Sequence, residues 1–370
     1  MTVEQLVGGM VWVQGMVLMA ALVFAIFDGL FALSGQRRNF LTRRRLGLTA
    51  IAAIALVPLA LPALLATSYA TSINATELVV SQYLKGNLSM SAGEVTSLLE
   101  IKSRWIDQLS QGSSWLALGV LLVFAGAFVG RLVYLIVNVI RIRRAIQGGQ
   151  VLRRGRRLRI VLSPSVSVPF STRGLWHYYV VLPLSFCADR DAMQMSLGHE
   201  LQHIRQGDVD AEVALSLISP LVVLNPGFWF LSSRLRKLGE LVCDRNYLRR
   251  RRFDPHGYSM RLLAVARRSR HAVGQPAAFG VPLVGRALPV LGRRSMLKDR
   301  ILEIAADQSS PSRDTRALSM AMSLVMIAAV LATATAVAQP KDWSHERIML
   351  SSVANLERLN QLNTMAQRSW

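Results

Sequence analysis

Cysteine is almost missing from this chain, with two residues in 370. Cys187 and Cys243 both fall where the charge pattern puts the cytoplasm. That excludes a disulfide framework and leaves a small, buried, apolar role as the expectation for each. Acids are scarce as well: 22 Asp and Glu stand against 43 Lys and Arg, for a net charge of +21. Such a surplus can track nucleic-acid phosphates. Most of it, however, sits in short segments beside apolar runs, where it meets anionic lipid headgroups and sets orientation, so membrane lipids are expected as partners and direct nucleic-acid binding is not. No basic flank precedes the first apolar run, and that run is too long for a signal peptide, so a cleavable leader is not expected either.

Apolar sequence is what the chain has in plenty, at 52% of residues with a mean hydropathy of +0.33, and this points to a membrane. Four runs, at about 10–33, 46–66, 115–140 and 317–338, are long enough to cross a bilayer. Arg37, Arg38, Arg43, Arg44 and Arg45 lie between the first two with no acid among them. Arg141, Arg143, Arg144, Arg153, Arg154, Arg156, Arg157 and Arg159 follow the third, again without an acid. The positive-inside rule then puts both termini outside and the stretch 141–316 in the cytoplasm. The expected organisation is a membrane region over 1–140 with an extracytoplasmic loop at 67–114, a cytoplasmic domain over 141–316, a last span at 317–338 and a short outer tail at 339–370.

The centre of the cytoplasmic stretch is His199-Glu200-Leu201-Gln202-His203. On a helix, positions i and i+4 share a face, so both imidazoles reach one metal ion. Glu200 lies next to them, where it acts on water without being a ligand. The set suits Zn²⁺ hydrolysis: two neutral His nitrogens, a third ligand from elsewhere and an open position. Gly207 supplies a helix stop. Downstream, Glu240 and Asp244 are again i and i+4; Glu240 is the expected third ligand, and Asp244 is expected to orient a ligating His. An ion pair of these two acids with Arg236 and Arg245 on a solvated face is the blander reading.

The apolar stretch 209–231 tests this scheme, because a full span there would put Glu240 and His203 on opposite sides of the membrane. A ligand must come within about 2 Å of zinc. Asn225-Pro226 interrupts the stretch, so the expectation is a helix ending near Leu224 and a new one carrying Glu240.

His199-Glu200-x-x-His203 with Gly207-Asp208, Asn225-Pro226 and Glu240-x-x-Cys243-Asp244 resembles the BlaR/MecR-type regulatory membrane zinc metallopeptidases. Ser167-Val168-Pro169-Phe170, Gly174 and Val181-Leu182-Pro183 are similar to that family's strand pair before the zinc helix, and Leu297-Lys298-Asp299-Arg300-Ile301 resembles its closing segment. The resemblance covers roughly 110–340. It implies an integral-membrane, mainly α fold: four transmembrane helices with a gluzincin-like α+β zinc metallopeptidase domain inserted between the third and fourth. It implies Zn²⁺ on His199, His203 and Glu240, with Glu200 as the general base and Asp244 behind a ligand. An edge strand near Ser167, Val168, Pro169 and Phe170 would take the substrate in extended form. The implied location is the bacterial cytoplasmic membrane, the implied protein substrate a BlaI/MecI-like repressor, and self-cleavage is expected between about 273 and 294. No large extracytoplasmic penicillin-binding domain is expected after the last span, a departure from the family that bears on β-lactam sensing and not on proteolysis. A homodimer is left open. The rivals are an HtpX or CAAX-type processing peptidase and a zinc-stabilised scaffold that does not cut. Placement of the domain between spans, Cys243-Asp244 after Glu240, and the presence of Glu200 argue against them.

Smaller expectations remain. Asp28 and Arg131, both inside apolar runs, are paired with each other or solvated separately. Ser91 and Glu94 form a capping box opening an amphipathic stripe of Val95, Leu98, Leu99, Trp105, Ile106 and Leu109. The runs 158–162 and 178–182 read as a hairpin around Gly174. His177 reads as packing rather than a ligand, and either Tyr247 or His256 steadies an oxyanion. Ala336-Val337-Ala338 has the form of a signal-peptidase site.

Overall fold

A computed structural model describes residues 3–65, 80–83, 85, 87, 90, 91, 93–95, 97, 115–251, 254–271, 291–306, 316–337 and 352. Most of the expected self-cleavage region (all but 291–294), the outer tail apart from Ser352 and most of the stripe after Val95 lie outside the described residues. The chain is mostly helical with one small mixed sheet: α1 (Val3–Leu33), α2 (Phe40–Leu65), α3 (Trp115–Gln147), β1 (Gln150–Arg154), β2 (Leu158–Ser163), β3 (Phe170–Arg173), β4 (Tyr178–Pro183), a 3₁₀ turn (Leu184–Ala188), α4 (Arg190–Gln206), α5 (Asp208–Ile218), α6 (Pro226–Arg251), α7 (Pro255–His271), α8 (Leu291–Ala305) and α9 (Arg316–Val337). Among the described residues, three helices are long and apolar enough to cross a membrane: Gly8–Leu33, Leu118–Gln147 and Ala317–Thr335. The expected second run, 46–66, falls on α2 and ends outside the described residues.

Two compact units are present. One comprises Met1–Val23, Ala52–Gly126 and Leu324–Trp370; within it the Trp12 indole donates to the Ala334 carbonyl at 2.8 Å, joining α1 to α9. The capping box also forms there, with Ser91 N donating to Glu94 at 2.9 Å and Glu94 N to Ser91 Oγ at 3.2 Å. The other unit, Phe24–Ile51 with Ala127–Ser323, holds the sheet and the motif helix.

The sheet runs β1-β2-β4-β3. The expected hairpin between 158–162 and 178–182 is not what forms, because β2 and β4 are parallel neighbours. The hairpin around Gly174 joins β4 instead to β3, with Gly174 N bonded to the His177 carbonyl at 2.8 Å. Strand β3, Phe-Ser-Thr-Arg, is only four residues long, and β4 has both of its edges filled, which suits the continuous apolar run Val180–Leu182. One sheet face, Ile160, Leu162, Val180 and Leu182, packs on Met193, Leu197, Leu201 and Ile204 of α4, a stripe at spacings of four, four and three. The other face is covered by Ile142, Ala145 and Ile146 from the end of α3.

Asp28 does not pair with Arg131. Its carboxylate accepts from Arg43 Nε at 2.5 Å and Arg234 Nε at 2.8 Å. The short turn between α1 and α2 delivers Arg43 to it directly. Arg131 donates to Ser219 Oγ at 3.0 Å and lies over the Tyr134 and Trp229 rings at 4.9 and 5.6 Å. Removing one member of a buried ion cluster strands its partners, so Asp28→Asn should destabilise the chain by about 3 kcal/mol or more. Thermal unfolding in detergent checks this, and an unchanged midpoint would show the cluster to be idle.

Candidate metal centre

The sheet-packing stripe of α4 leaves His199 and His203 on a different face, two residues on from Leu197 and Leu201 and so about 200° round the helix. Asp189 caps the helix start, its side chain accepting from Ala192 N at 3.0 Å. Gly207 ends it in the left-handed region, at φ 76°, with its N–H on the His203 and Ile204 carbonyls. Only glycine takes that turn without strain, and the turn brings Asp208 back beside His203. The Val209–Leu231 stretch breaks as expected, although α5 already ends at Ile218; Asn225 Oδ1 accepts from Gly227 N at 2.9 Å and Pro226 opens α6. Helix α6 then approaches α4 so closely that a Cβ on Gly198 would lie 2.5 Å from the Tyr247 ring. That approach puts Glu240, Cys243 and Asp244 against the two histidines.

His199 Nε2 and His203 Nε2 are 3.1 Å apart, and Glu240 reaches each at 3.5 Å with a different oxygen. Two nitrogens held about 2.0–2.1 Å from a tetrahedral ion lie roughly 3.3 Å apart, so the three groups are spaced as ligands of one zinc. The far side of each ring is fixed. His203 Nδ1 lies 2.7 Å from Asp208 Oδ2, and a carboxylate there can only accept. The Tyr258 hydroxyl donates to Asp244 Oδ1 at 2.7 Å, so its oxygen accepts from His199 Nδ1 at 3.1 Å. In the neutral, metal-binding form both ring protons therefore belong on Nδ1, and both Nε2 lone pairs face the gap. Asp244 itself is 3.6 Å from His199 Nδ1, beyond hydrogen-bonding range; it acts on that ring through Tyr258.

Cys243 Sγ is also close and groups with the two histidines as potential ligands within 4.8 Å of one another. It is nearer to His199 Nδ1, at 3.6 Å, than to Nε2, at 4.0 Å, and sits against the His199 carbonyl at 3.6 Å. Of the two cysteines expected to be buried and apolar, Cys243 is fully buried, whereas Cys187, in the 3₁₀ turn, is exposed. Glu200 is buried too, and its Oε2 has no hydrogen-bond partner among the described residues.

Arg300 forks onto Asp244 at 2.7 and 2.8 Å, and its Nη1 lies 2.8 Å from Glu240 Oε2 without the alignment of a hydrogen bond. Arg44 holds Asp208 Oδ1 at 2.5 and 2.9 Å and the Gln206 carbonyl at 2.7 Å; Gln206 also donates to Asp208. Three carboxylates, Asp208, Glu240 and Asp244, thus gather with two guanidiniums and leave a net negative charge that a divalent cation offsets. The ionisations agree. Burial works to lower the His199 imidazole, but Cys243 and Glu240 outweigh it and lift the group to about 10. His203 is raised likewise against its burial, by Cys243, Glu240 and Asp208. Burial works to raise Glu240, and Arg300 with the two imidazoles holds it well below the usual carboxylate range. The residues fit a divalent cation.

Asp208, Tyr258, Arg300 and Arg44 were not anticipated as parts of this centre; the family-like segments around Asp208 and Arg300 were the available signal. Of the residues expected to steady an oxyanion, His256 is exposed at the start of α7 and Tyr247 packs on Tyr258 with ring centroids 5.6 Å apart. His177 contacts Tyr179, with ring centroids at 6.4 Å. Ser167, Val168 and Pro169 form the bend into β3, an edge strand, and Phe170 begins it, buried with Ala145, Val166 and Val181.

No curated protein and no solved structure matches the chain significantly. The family model described as BlaR1 peptidase M56 matches residues 38–297, which hold every residue of the centre except Arg300. Since that match spans well over half of its length, the chain belongs to the BlaR1 peptidase M56 family.

Proposed function

We propose that this protein is an integral-membrane zinc endopeptidase with four spans, its α+β catalytic domain inserted between the third and fourth at the cytoplasmic face of the bacterial inner membrane. Membership of a peptidase family and three apolar helices support the coarse reading. The observation that carries the zinc site is the convergence of two imidazole Nε2 atoms and one carboxylate, with both rings pinned from behind. His199, His203 and Glu240 are the proposed ligands. Zinc held there supplies Lewis acidity that eases deprotonation of water and polarises a peptide carbonyl. Glu200 takes the proton of the attacking water and hands it to the leaving amine. Asp244 and Asp208 keep the ligands in the right tautomer. The edge near Ser167, Val168, Pro169 and Phe170 holds the substrate as an added strand, through backbone rather than the buried Phe170 ring. The proposed substrate is a BlaI/MecI-like repressor, cleavage of which relieves repression.

Elemental analysis of the purified chain should find one zinc per molecule, and incubation with such a repressor should release fragments that a chelator suppresses. Absence of stoichiometric zinc would sink the reading. Zinc affinity should also rise with pH. The metal-free His199 keeps its proton up to about 10, so binding must expel it. Each proton displaced, from His199 below that value and from His203 while it is charged, corresponds to about tenfold tighter binding per pH unit. Chelator competition at pH 7, 8 and 9 reads the slope, and a flat line would show the imidazoles to be neutral beforehand.

A further inference from the structure

We propose that Arg44 and Arg300 are positioning residues that assemble the metal centre from outside the two helices bearing its ligands. This rests on the zinc reading above and adds what holds the site together. The two arginines stand in the same relation to the two histidines. Arg44 grips Asp208, which accepts from His203 Nδ1. Arg300 grips Asp244, which accepts from Tyr258, which accepts from His199 Nδ1. Arg300 also lies on Glu240 Oε2, the oxygen nearer His199, while Oε1 is turned to His203. Neither guanidinium is in hydrogen-bonding contact with an Nε2 atom among the described residues. Each acts through a carboxylate that it both neutralises and aims.

A planar fork suits that task. Two N–H donors set a carboxylate's direction as well as its charge, whereas an ammonium supplies one rotatable point charge. The arginines also come from far away along the chain. Arg44 lies on α2, 164 residues from Asp208, and Arg300 on α8, 56 residues from Asp244. Helix α2 continues to Leu65, and α8 is followed after ten residues by the apolar helix α9. The ligand geometry is therefore complete only while both α2 and α8 are docked on α4–α6. Withdrawal of either leaves a carboxylate without its counter-charge and an imidazole free to turn, so the centre is sensitive to the placement of two segments that lie beside apolar helices.

The test uses the full chain in detergent and compares wild type with Arg44→Ala, Arg44→Lys, Arg300→Ala, Arg300→Lys, Lys237→Ala and Arg261→Ala. Lys237→Ala removes the ion pair to Asp299, another tie between α6 and α8, and Arg261→Ala removes an exposed pair with Asp191. Zinc affinity comes from chelator competition and ligand geometry from the visible spectrum of the cobalt(II)-substituted protein. Loss of a partner behind a metal ligand commonly weakens binding by about 10–100-fold, and that loss with a shifted cobalt spectrum is expected for both alanine variants. The lysine variants should recover part of it; where an alanine variant does not fold, its lysine counterpart should still bind several-fold more weakly than wild type. Lys237→Ala and Arg261→Ala should stay within about twofold of wild type, since neither touches the carboxylates. Wild-type affinity and spectra in the Arg44 and Arg300 variants would overturn the proposal while leaving the zinc reading intact. An equal loss in Lys237→Ala would also overturn it, by showing that docking of α8 suffices. Wild-type protein that binds no zinc would sink both.

Discussion

Glu200→Gln should keep its zinc and lose about 10²–10⁴-fold in turnover of a protein substrate, the usual worth of a positioned general base. The amide has nearly the same shape as the carboxylate but cannot accept the proton that hydrolysis must move. Its effect on the fold should be small, for a structural reason. Glu200 is buried, 8% exposed, and its Oε2 has no hydrogen-bond partner among the described residues. Neutralising that oxygen breaks no contact at Oε2, and it removes a buried charge that costs stability. The variant should therefore melt at or above the wild-type temperature, as expected where activity and stability compete. Turnover on the repressor or on casein, zinc content and the unfolding midpoint measure the three parts separately. Retained turnover would mean that another group serves as the base.

The second large effect separates two candidates for the third ligand. Glu240→Ala should strip the centre of zinc, and Cys243→Ala should leave it loaded. Glu240 places one oxygen 3.5 Å from each Nε2 atom, the spacing of a shared tetrahedral ion. For a thiolate about 2.3 Å from zinc, sulfur and nitrogen would lie roughly 3.6 Å apart. Cys243 Sγ is 4.0 Å from His199 Nε2 and nearer to Nδ1, the nitrogen committed to Tyr258. It flanks the ring rather than the gap. Burial among these groups still gives the cysteine a role in packing, so its removal should cost affinity modestly. Elemental analysis of both variants decides the matter, and zinc kept by Glu240→Ala but lost by Cys243→Ala would reverse the ligand set.

The parts of this centre that were legible in advance are those written in local spacing. His199 and His203 share a face because four residues make just over one helical turn, and the same rule places Glu240 and Asp244 together. Gly207 is a stop because its backbone must go left-handed, and Asn225-Pro226 is a start because proline lacks an N–H that a first turn does not need. Even the break in the apolar stretch was an expectation from coordination distance, since residues proposed to share one ion cannot be divided by a membrane. The strand pairing shows where this reasoning stops. The runs 158–162 and 178–182 are strands, but alternation and composition describe a strand's faces and not its neighbour, so the intervening β3 took the hairpin and left β2 parallel to β4.

The charged residues divide in the same way. Sequence by itself determined which side chains could bind and activate a hydrolytic metal, because that chemistry depends on residue type and on spacing within single helices. Only the tertiary structure decided which charges stand behind them. Arg43, Arg44 and Arg234 look alike in a chain with 43 basic residues, yet two of them neutralise Asp28 while Arg44 holds Asp208 behind His203. A long-range ion pair costs chain entropy and desolvation before it returns anything, and packing of whole helices determines which pairs form. For that reason Asp28 found Arg43 and Arg234 rather than Arg131, and Tyr258 and Arg300 came to complete a site whose helical motif does not contain them.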